Sequence, residues 1–273
     1  MAKRESSLGN IALFLLCIMF CFSTPLKAAS EIVSIPIEEA SAITTLPDGS
    51  FIVVDDEKGI YHLDSSYRAK LLVDAKSGEF LDDLEGVAIS SDQKKLYFLS
   101  ERRGQISCSD LKIEGNEVSL SAPMLLGTLP EITRKRNKGW EGICIINLNG
   151  IDHLLAVHQE EPKAIAILEL PALKLFTMCE LPLGLDEQLK NLSDVAVDRK
   201  TGHIYLLSGK SSRFIEVAAK ITTRIEELDI VSSTKLKGDL NGKPEGITFN
   251  GRDQVVIVTD ADEDEGDLIT ISE

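Results

Sequence analysis

The chain has 273 residues, of which 43% are hydrophobic and only 5% aromatic, and it carries a formal charge of −15. That content supplies a core filled by Val, Ile and Leu, while the negative field repels nucleic acid and anionic lipid and favours cations. Phosphate loop, nucleophile elbow and dinucleotide fingerprint are all missing from the sequence.

Residues 1–29 read as a signal peptide or an N-terminal anchor. Lys3 and Arg4 form a basic start, Ile11 to Phe22 is an apolar run short for a membrane span, and Ala28, Ala29 and Ser30 offer cleavage positions. Residues 30–273 are expected to be one exported domain, periplasmic or secreted, or membrane-anchored where the segment is kept. Removing Lys3, Arg4 and Lys27 against Glu5 leaves about −17 on that domain. Its three cysteines, Cys108, Cys144 and Cys179, sit in apolar strand patterns and match no metal motif.

An isolated strand, Glu31–Ile37, comes first. After it, short β-branched runs alternate with Gly, Asp and Asn turns: Ala42–Thr45, Phe51–Val54, Ile60–Leu63 and Ala69–Val73 in a first unit, then Leu84–Ser90, Leu96–Ser100, Gln105–Leu111 and Val118–Leu126 in a second. Each unit opens on one recurring stretch: Leu84-Glu85-Gly86-Val87, Trp140-Glu141-Gly142-Ile143, Pro244-Glu245-Gly246-Ile247, a diverged Leu192-Ser193-Asp194-Val195 and a faint Ala40-Ser41-Ala42-Ile43. With Ser41, Glu85, Glu141, Asp194 and Glu245 taken as equivalent, the spacings are 44, 56, 53 and 51 residues, the length of a propeller blade. The fifth unit runs out after three strands. The surplus strand at the start and the deficit at the end predict an all-β, five-bladed β-propeller closed by the N-terminal strand joining the last blade, with six blades as the alternative. Only Leu185–Leu192 suggests a turn or two of helix.

In such a blade the start of the innermost strand and the end of the next lie at one end of an antiparallel hairpin. Two rings of side chains then converge on one mouth of the axial channel: Ser41, Glu85, Glu141, Asp194 and Glu245, and behind them Asp56, Glu101, Gln159, Gly209 and Asp260. Converging carboxylates repel unless protonated, solvated or neutralised, and Ca²⁺, which takes six to eight oxygens in loose geometry, suits them. Glu85, Glu141, Asp194 and Glu245 are the expected ligands, with Asp56, Glu101, Gln159 and Asp260 as alternates. The same acids could serve instead as clasps between repeats. His158 and Glu101 are the candidates for a general base, His62 and His203 read as strand-surface residues, and Trp140 as packing between blades. The acidic run Asp260–Asp267 fails as an EF-hand, because its Gly falls at position seven and position twelve is Ile271.

Asp83-Leu84-Glu85-Gly86, Gly139-Trp140-Glu141-Gly142, the unit from Leu192 to Ser208 and Lys243-Pro244-Glu245-Gly246-Ile247 resemble the SdiA-regulated (YjiK-like) propellers, relatives of phytase-like proteins, over roughly residues 35–272. The resemblance implies an exported propeller without a settled activity. Its phytase-like relatives suggest calcium-dependent phosphoester or ester hydrolysis, although Ser41, Gly209 and Lys210 stand where acids or polar ligands would be expected. The sequence thus points to a monomer that binds a small molecule or envelope protein at an acidic mouth, with a metal-dependent hydrolase of phosphoesters, esters or lactones as the alternative.

Overall fold

The computed structural model describes residues 29–77, 80–132, 139–262 and 264–272. Residues 1–28 of the segment expected to be a signal peptide or anchor, and the basic cluster Arg134–Lys138, lie outside them. Five antiparallel sheets stand in a ring, one per repeat. Blade one is β2 (Ala40–Thr45), β3 (Phe51–Asp55), β4 (Gly59–Leu63) and β5 (Ala69–Asp74). Blade two is β6 (Leu84–Ile89), β7 (Lys95–Ser100), β8 (Gln105–Glu114), β9 (Glu117–Leu120) and β10 (Met124–Thr128). Blade three is β11 (Trp140–Leu148), β12 (Ile151–His158), β13 (Ala164–Glu169) and β14 (Lys174–Glu180). Blade four is β15 (Asp194–Val197), β16 (Ile204–Ser208), β17 (Arg213–Ile221) and β18 (Ile225–Lys235). Blade five is β19 (Lys243–Phe249), β20 (Val255–Asp260) and β21 (Gly266–Ser272), completed by the first strand, β1 (Ala29–Ile35).

The closure follows the predicted arithmetic. β1 pairs with β21 from Ala29↔Ser272 to Ile35↔Gly266, which covers an edge that would otherwise stay open. Blade two departs from the four-strand expectation because its outer strand is interrupted. β9 pairs with the far half of β8 and β10 with the near half, and between them lies Pro123, which has no N–H for the ladder. The helical candidate shrinks to one turn, α1 (Leu183–Asp186).

Among the described residues, no apolar cluster runs through the middle of the ring. Each apolar cluster instead fills the gap between two adjacent blades. Leu84, Val87 and Phe98 pack with Ile52, Val54 and Ile60 between blades one and two, and Ile257 and Ile269 pack with Leu207 and Phe214 between blades four and five. Side chains alternate across each sheet, so every inner strand feeds the cluster on either side of it. His62, expected at the surface, is only 8% exposed, with its ring nitrogen Nε2 2.9 Å from Ser50 Oγ. The loss of solvent lowers its pKa. Trp140 is buried between blades, as expected, and donates its indole N–H to the Pro130 carbonyl at 2.9 Å.

The recurring Gly after the acid has a steric cause. A Cβ on Gly142 would lie 2.5 Å from Asp194 Cα, and one on Gly246 would lie 2.8 Å from Ala42 Cα, in each case the backbone of the next blade's inner strand. Gly142→Ala should therefore destabilise the fold by about 1–3 kcal/mol through overpacking. Gly251→Ala, where an added Cβ meets nothing within 4 Å, should leave stability within about 0.5 kcal/mol of wild type. Urea unfolding of the two variants side by side is the check.

Candidate functional site

The mouth is built by a bulge. In four blades the inner strand carries an extra residue where it meets its neighbour: Ser41 between Ala40 and Ala42, Glu85 between Leu84 and Gly86, Glu141 between Trp140 and Gly142, and Glu245 between Pro244 and Gly246. A bulge re-aims the extra residue away from the regular alternation, and here it sets that residue at the channel end. In blade four the register pairs Asp194 with Leu207, the position that Gly86 takes opposite Leu99. Ser193, not Asp194, is therefore the fourth member of this ring.

Asp194 lies deeper, 2% exposed and packed between its neighbouring inner strands. Its Oδ2 accepts the Ile247 N–H of the next blade at 2.8 Å, and its Oδ1 faces Gly142, buried without a partner. Burial drives its pKa far up, with Glu245 adding to the effect. It hydrogen-bonds the inner strand of blade five and packs against that of blade three. Ser193 replaces an acid with a hydroxyl that accepts N–H bonds from Gly209 at 3.0 Å and Asn191 at 3.2 Å, and it donates to Glu245. Gly209 itself is dictated by space, since a Cβ there would lie 2.7 Å from the Pro244 carbonyl oxygen. Blade four thus gives the mouth no carboxylate.

The acids gather on the opposite side. Asp56, Asp83 and Glu85 each present an oxygen within 4.8 Å of the others, and Glu39, Asp55 and Asp56 form a second such set. Two ligands of one calcium, each at 2.3–2.6 Å, lie no more than about 5 Å apart, so both sets have the right span. One oxygen of Asp56, Oδ1, is buried and has no hydrogen-bond donor. Burial raises Asp56 to about 6, with Asp55, Asp260 and Asp83 contributing, and raises Glu39 to about 7, with Asp56, Glu57, Asp55 and Asp260 contributing. Glu85 is held well above the carboxylate range by burial first, then by Asp56, Glu245 and Glu101.

Glu85 and Asp56, expected as ligand and alternate, are thus brought together. Glu101 and Glu141 form a separate pair: Glu141 donates to Glu101, whose Oε1 also accepts the Gly139 N–H at 2.9 Å. Glu245 is tied to Ser193, and Asp260 lies 3.9 Å from Lys243. Gln159 contributes backbone, its N–H on Gly139 and its carbonyl under Leu192. His158 is 1% exposed; its Nδ1 donates to the Pro162 carbonyl at 2.8 Å and its ring lies edge-on to Trp140.

Glu39, Asp55 and Asp83 were not singled out from the sequence. Glu39 and Asp83 each stand two residues before a bulge and share a backbone role: Asp56 N–H bonds Glu39 O at 3.4 Å and Glu101 N–H bonds Asp83 O at 2.9 Å. Aligning the repeats two residues further upstream would have exposed both. Beyond the mouth, the far half of the channel opens into a cavity of about 280 Å³ lined by the other ends of the five inner strands.

The family model described as SdiA-regulated matches residues 28–262. Among curated proteins none matches the chain. Among solved structures, the glutaminyl cyclase of Myxococcus xanthus superposes with a TM-score of 0.56 at 16% identity, covering 90% of this chain and 96% of the other. The PQQ-bound aldose sugar dehydrogenase of Streptomyces coelicolor gives 0.56 at 14% identity, covering 91% and 99%. A streptogramin B lyase gives 0.51 at 14% identity, covering 90% and 98%. At these identities the likeness is one of fold alone.

The raised carboxyls set a pH dependence. Asp56 and Glu39 bind protons more tightly folded, at about 6 and about 7, than at their ordinary values of 3.8 and 4.5. Their contribution to stability is complete below the ordinary values and is lost as pH rises through the folded ones. In chelator the melting temperature should therefore fall between about pH 4 and about pH 7, and Asp56→Asn should flatten that fall; thermal scans across pH check it.

Proposed function

The chain belongs to the SdiA-regulated family, and from that footing we propose that it is a calcium-dependent binding module whose ligand docks at the acidic channel mouth. The observation that supports this reading is the Asp56–Asp83–Glu85 set, three carboxylates of suitable span, of which Asp56 has a buried oxygen that lacks a donor. Calcium would satisfy that oxygen and offset the mutual repulsion that raises Asp56 and Glu85. Three protein ligands leave several of six to eight coordination positions to water and to a ligand's own oxygens. The ligand class is a small molecule, or a side chain of an envelope protein, that presents carboxylate, hydroxyl or phosphoryl oxygen. Arg102, 3.4 Å from Asp82 and 3.8 Å from Asp83, stands at the rim as a counter-charge for such a group. A periplasmic or secreted location suits an open site of this kind, since extracellular calcium modules work at about 10⁻⁴–10⁻³ M.

A metal-dependent hydrolase is the second reading, favoured by the Glu141–Glu101 pair. Two hydrogen-bonded carboxyls hold one proton between them, which leaves Glu101 as the acceptor beside the acidic set. In this reading Glu101 would take a proton from the water whose oxygen bonds to the acyl or phosphoryl centre, and would return it to the leaving oxygen as that bond breaks; calcium held by the acidic set would supply polarisation of the substrate oxygen.

Calcium should raise the melting temperature of chelator-treated protein, and Asp83→Asn should weaken calcium binding about tenfold or more, or about 1.4 kcal/mol. No shift with millimolar calcium would sink the cation. Chromogenic esters, phosphoesters and lactones, each assayed with and without calcium, separate the two readings. Calcium-dependent turnover abolished by Glu101→Gln, with calcium binding retained, would favour the hydrolase; inactivity throughout would leave the binding module.

A further inference from the structure

The channel has a second end, away from the acids, and there it holds the cavity of about 280 Å³. Three residues past each mouth position stand Thr44, Ala88, Cys144, Ala196 and Thr248, and all five line that cavity. None is larger than threonine. The residue before each is Ile or Val, none more than 3% exposed and each packed into a gap between blades. A ring of small side chains beside a ring of large ones leaves a chamber at this end of the channel. The register that builds the acidic mouth therefore also hollows out the far one.

The chamber has a polar side. Blades one and five meet where β2 passes β19, and three threonines stand along that seam. Thr45 spends its hydroxyl across it, on the Phe249 carbonyl at 2.6 Å. Thr44 is only 7% exposed, and its hydroxyl has no hydrogen-bond partner among the described residues. The hydroxyl of Thr248, a partly buried residue, has none there either. A buried hydroxyl without a partner is costly, and valine would fill the same space without one. Two such hydroxyls, at equivalent positions of neighbouring strands and on one cavity, fit a hydrogen-bonding group that enters from outside. The facing wall is apolar at Ala88, Ile145, Ala196 and Val197. Cys144 completes it with a thiol that burial keeps protonated and uncharged.

From this chamber we infer a second binding site, at the end of the channel opposite the acids. Its ligand is a small uncharged molecule with an apolar body and one hydroxyl or carbonyl head, held by Thr44 and Thr248. Charged heads fit less well. The charged residues of the lining are Asp198, Asp253 and Arg199. Asp198 already accepts the Lys200 N–H at 2.8 Å and the Thr201 hydroxyl at 2.7 Å, and Asp253 is paired with the Lys200 ammonium. An anion would meet two acids against one arginine, and a cation would find neither acid free. The volume lies just below the range of about 300–1,000 Å³ for drug-sized ligands, so the molecule has the size of a substituted ring or a short chain. The site shares no residue with the acidic mouth and does not depend on calcium.

Saturation-transfer NMR on the full chain tests it, with benzyl alcohol as the probe and toluene, benzoate and benzylamine as matched controls. Benzyl alcohol should bind saturably and about fivefold more tightly than any of the three, the worth of one net hydrogen bond. Thr44→Val combined with Thr248→Val keeps the shape and should bring benzyl alcohol down to the toluene level. Ala196→Leu, which fills the chamber, should abolish binding of both. Asp83→Asn, a change at the acidic mouth, should leave benzyl alcohol binding as in wild type, so this site and the calcium reading stand or fall separately. Melting temperatures show which variants are folded; where Ala196→Leu unfolds the chain, the threonine pair decides alone. The proposal is overturned by any of three results: no saturable binding of benzyl alcohol, binding that the threonine pair leaves unchanged, or benzoate or benzylamine as the tightest probe. Loss of benzyl alcohol binding in Asp83→Asn would also overturn it, by placing the probe at the acidic mouth.

Discussion

The close approach of five inner strands around one axis governs this molecule. Where Gly86, Gly142 and Gly246 pass their neighbours, a single Cβ would collide with the next strand's backbone or with a side chain fixed to it. The residue just before each of these glycines is the bulged one. Packing demand and site geometry are thus one local event: the strand must kink to fit, and the kink throws a side chain out at the channel end. A repeated acid at this position is first a consequence of ring closure and only then a resource for chemistry.

Charge around the ring is far from symmetric. Blades one and two together bring Glu39, Asp55, Asp56, Asp83, Glu85 and Glu101. Blade four answers with Asn191, Ser193 and Gly209, a neutral network that hydrogen-bonds Glu245 from the side. Repulsion is therefore concentrated where two carboxylate sets share Asp56, and relieved where a hydroxyl has replaced an acid. A symmetric ring of five acids would spread the strain and chelate poorly. This arrangement gathers carboxylates within the span of a cation.

The architecture was legible because strand periodicity, turn residues and repeat spacing all report the same unit, and because the odd strand at each end had one topological use. The site was legible only in part. Glu85, Glu141 and Glu245 were recognisable because the bulge residue and its Gly travel together. Asp194 misled by one residue: an acid next to a hydroxyl looks like the motif's acid, yet strand register gives the mouth to Ser193 and a buried place between inner strands to Asp194. Glu39 and Asp83 escaped notice because they lie just outside the inner-strand stretch that carries the hydrophobic signal, Asp55 because it ends the apolar run of the second strand, and the proximity of Asp83 to Asp56 arises between blades. His158 illustrates the converse, since its place at a strand end says nothing of its depth, and burial against Trp140 leaves it out of the mouth.

The seam between β1 and β21 also sets an order in time. The first strand of the ring finds its partner in the last, so during synthesis β1 has no ladder to join until the fifth repeat has emerged. Local hairpins in blades one to four can form as they appear, but the longest-range pairing must come last. The acidic mouth matures on the same schedule. Glu39 is bridged to Asp260 of the final blade, and the Glu39 and Asp56 carboxyls both feel its charge. The blade that brings Glu39, Asp55 and Asp56 together is therefore among the first made and the last to reach its finished electrostatic surroundings.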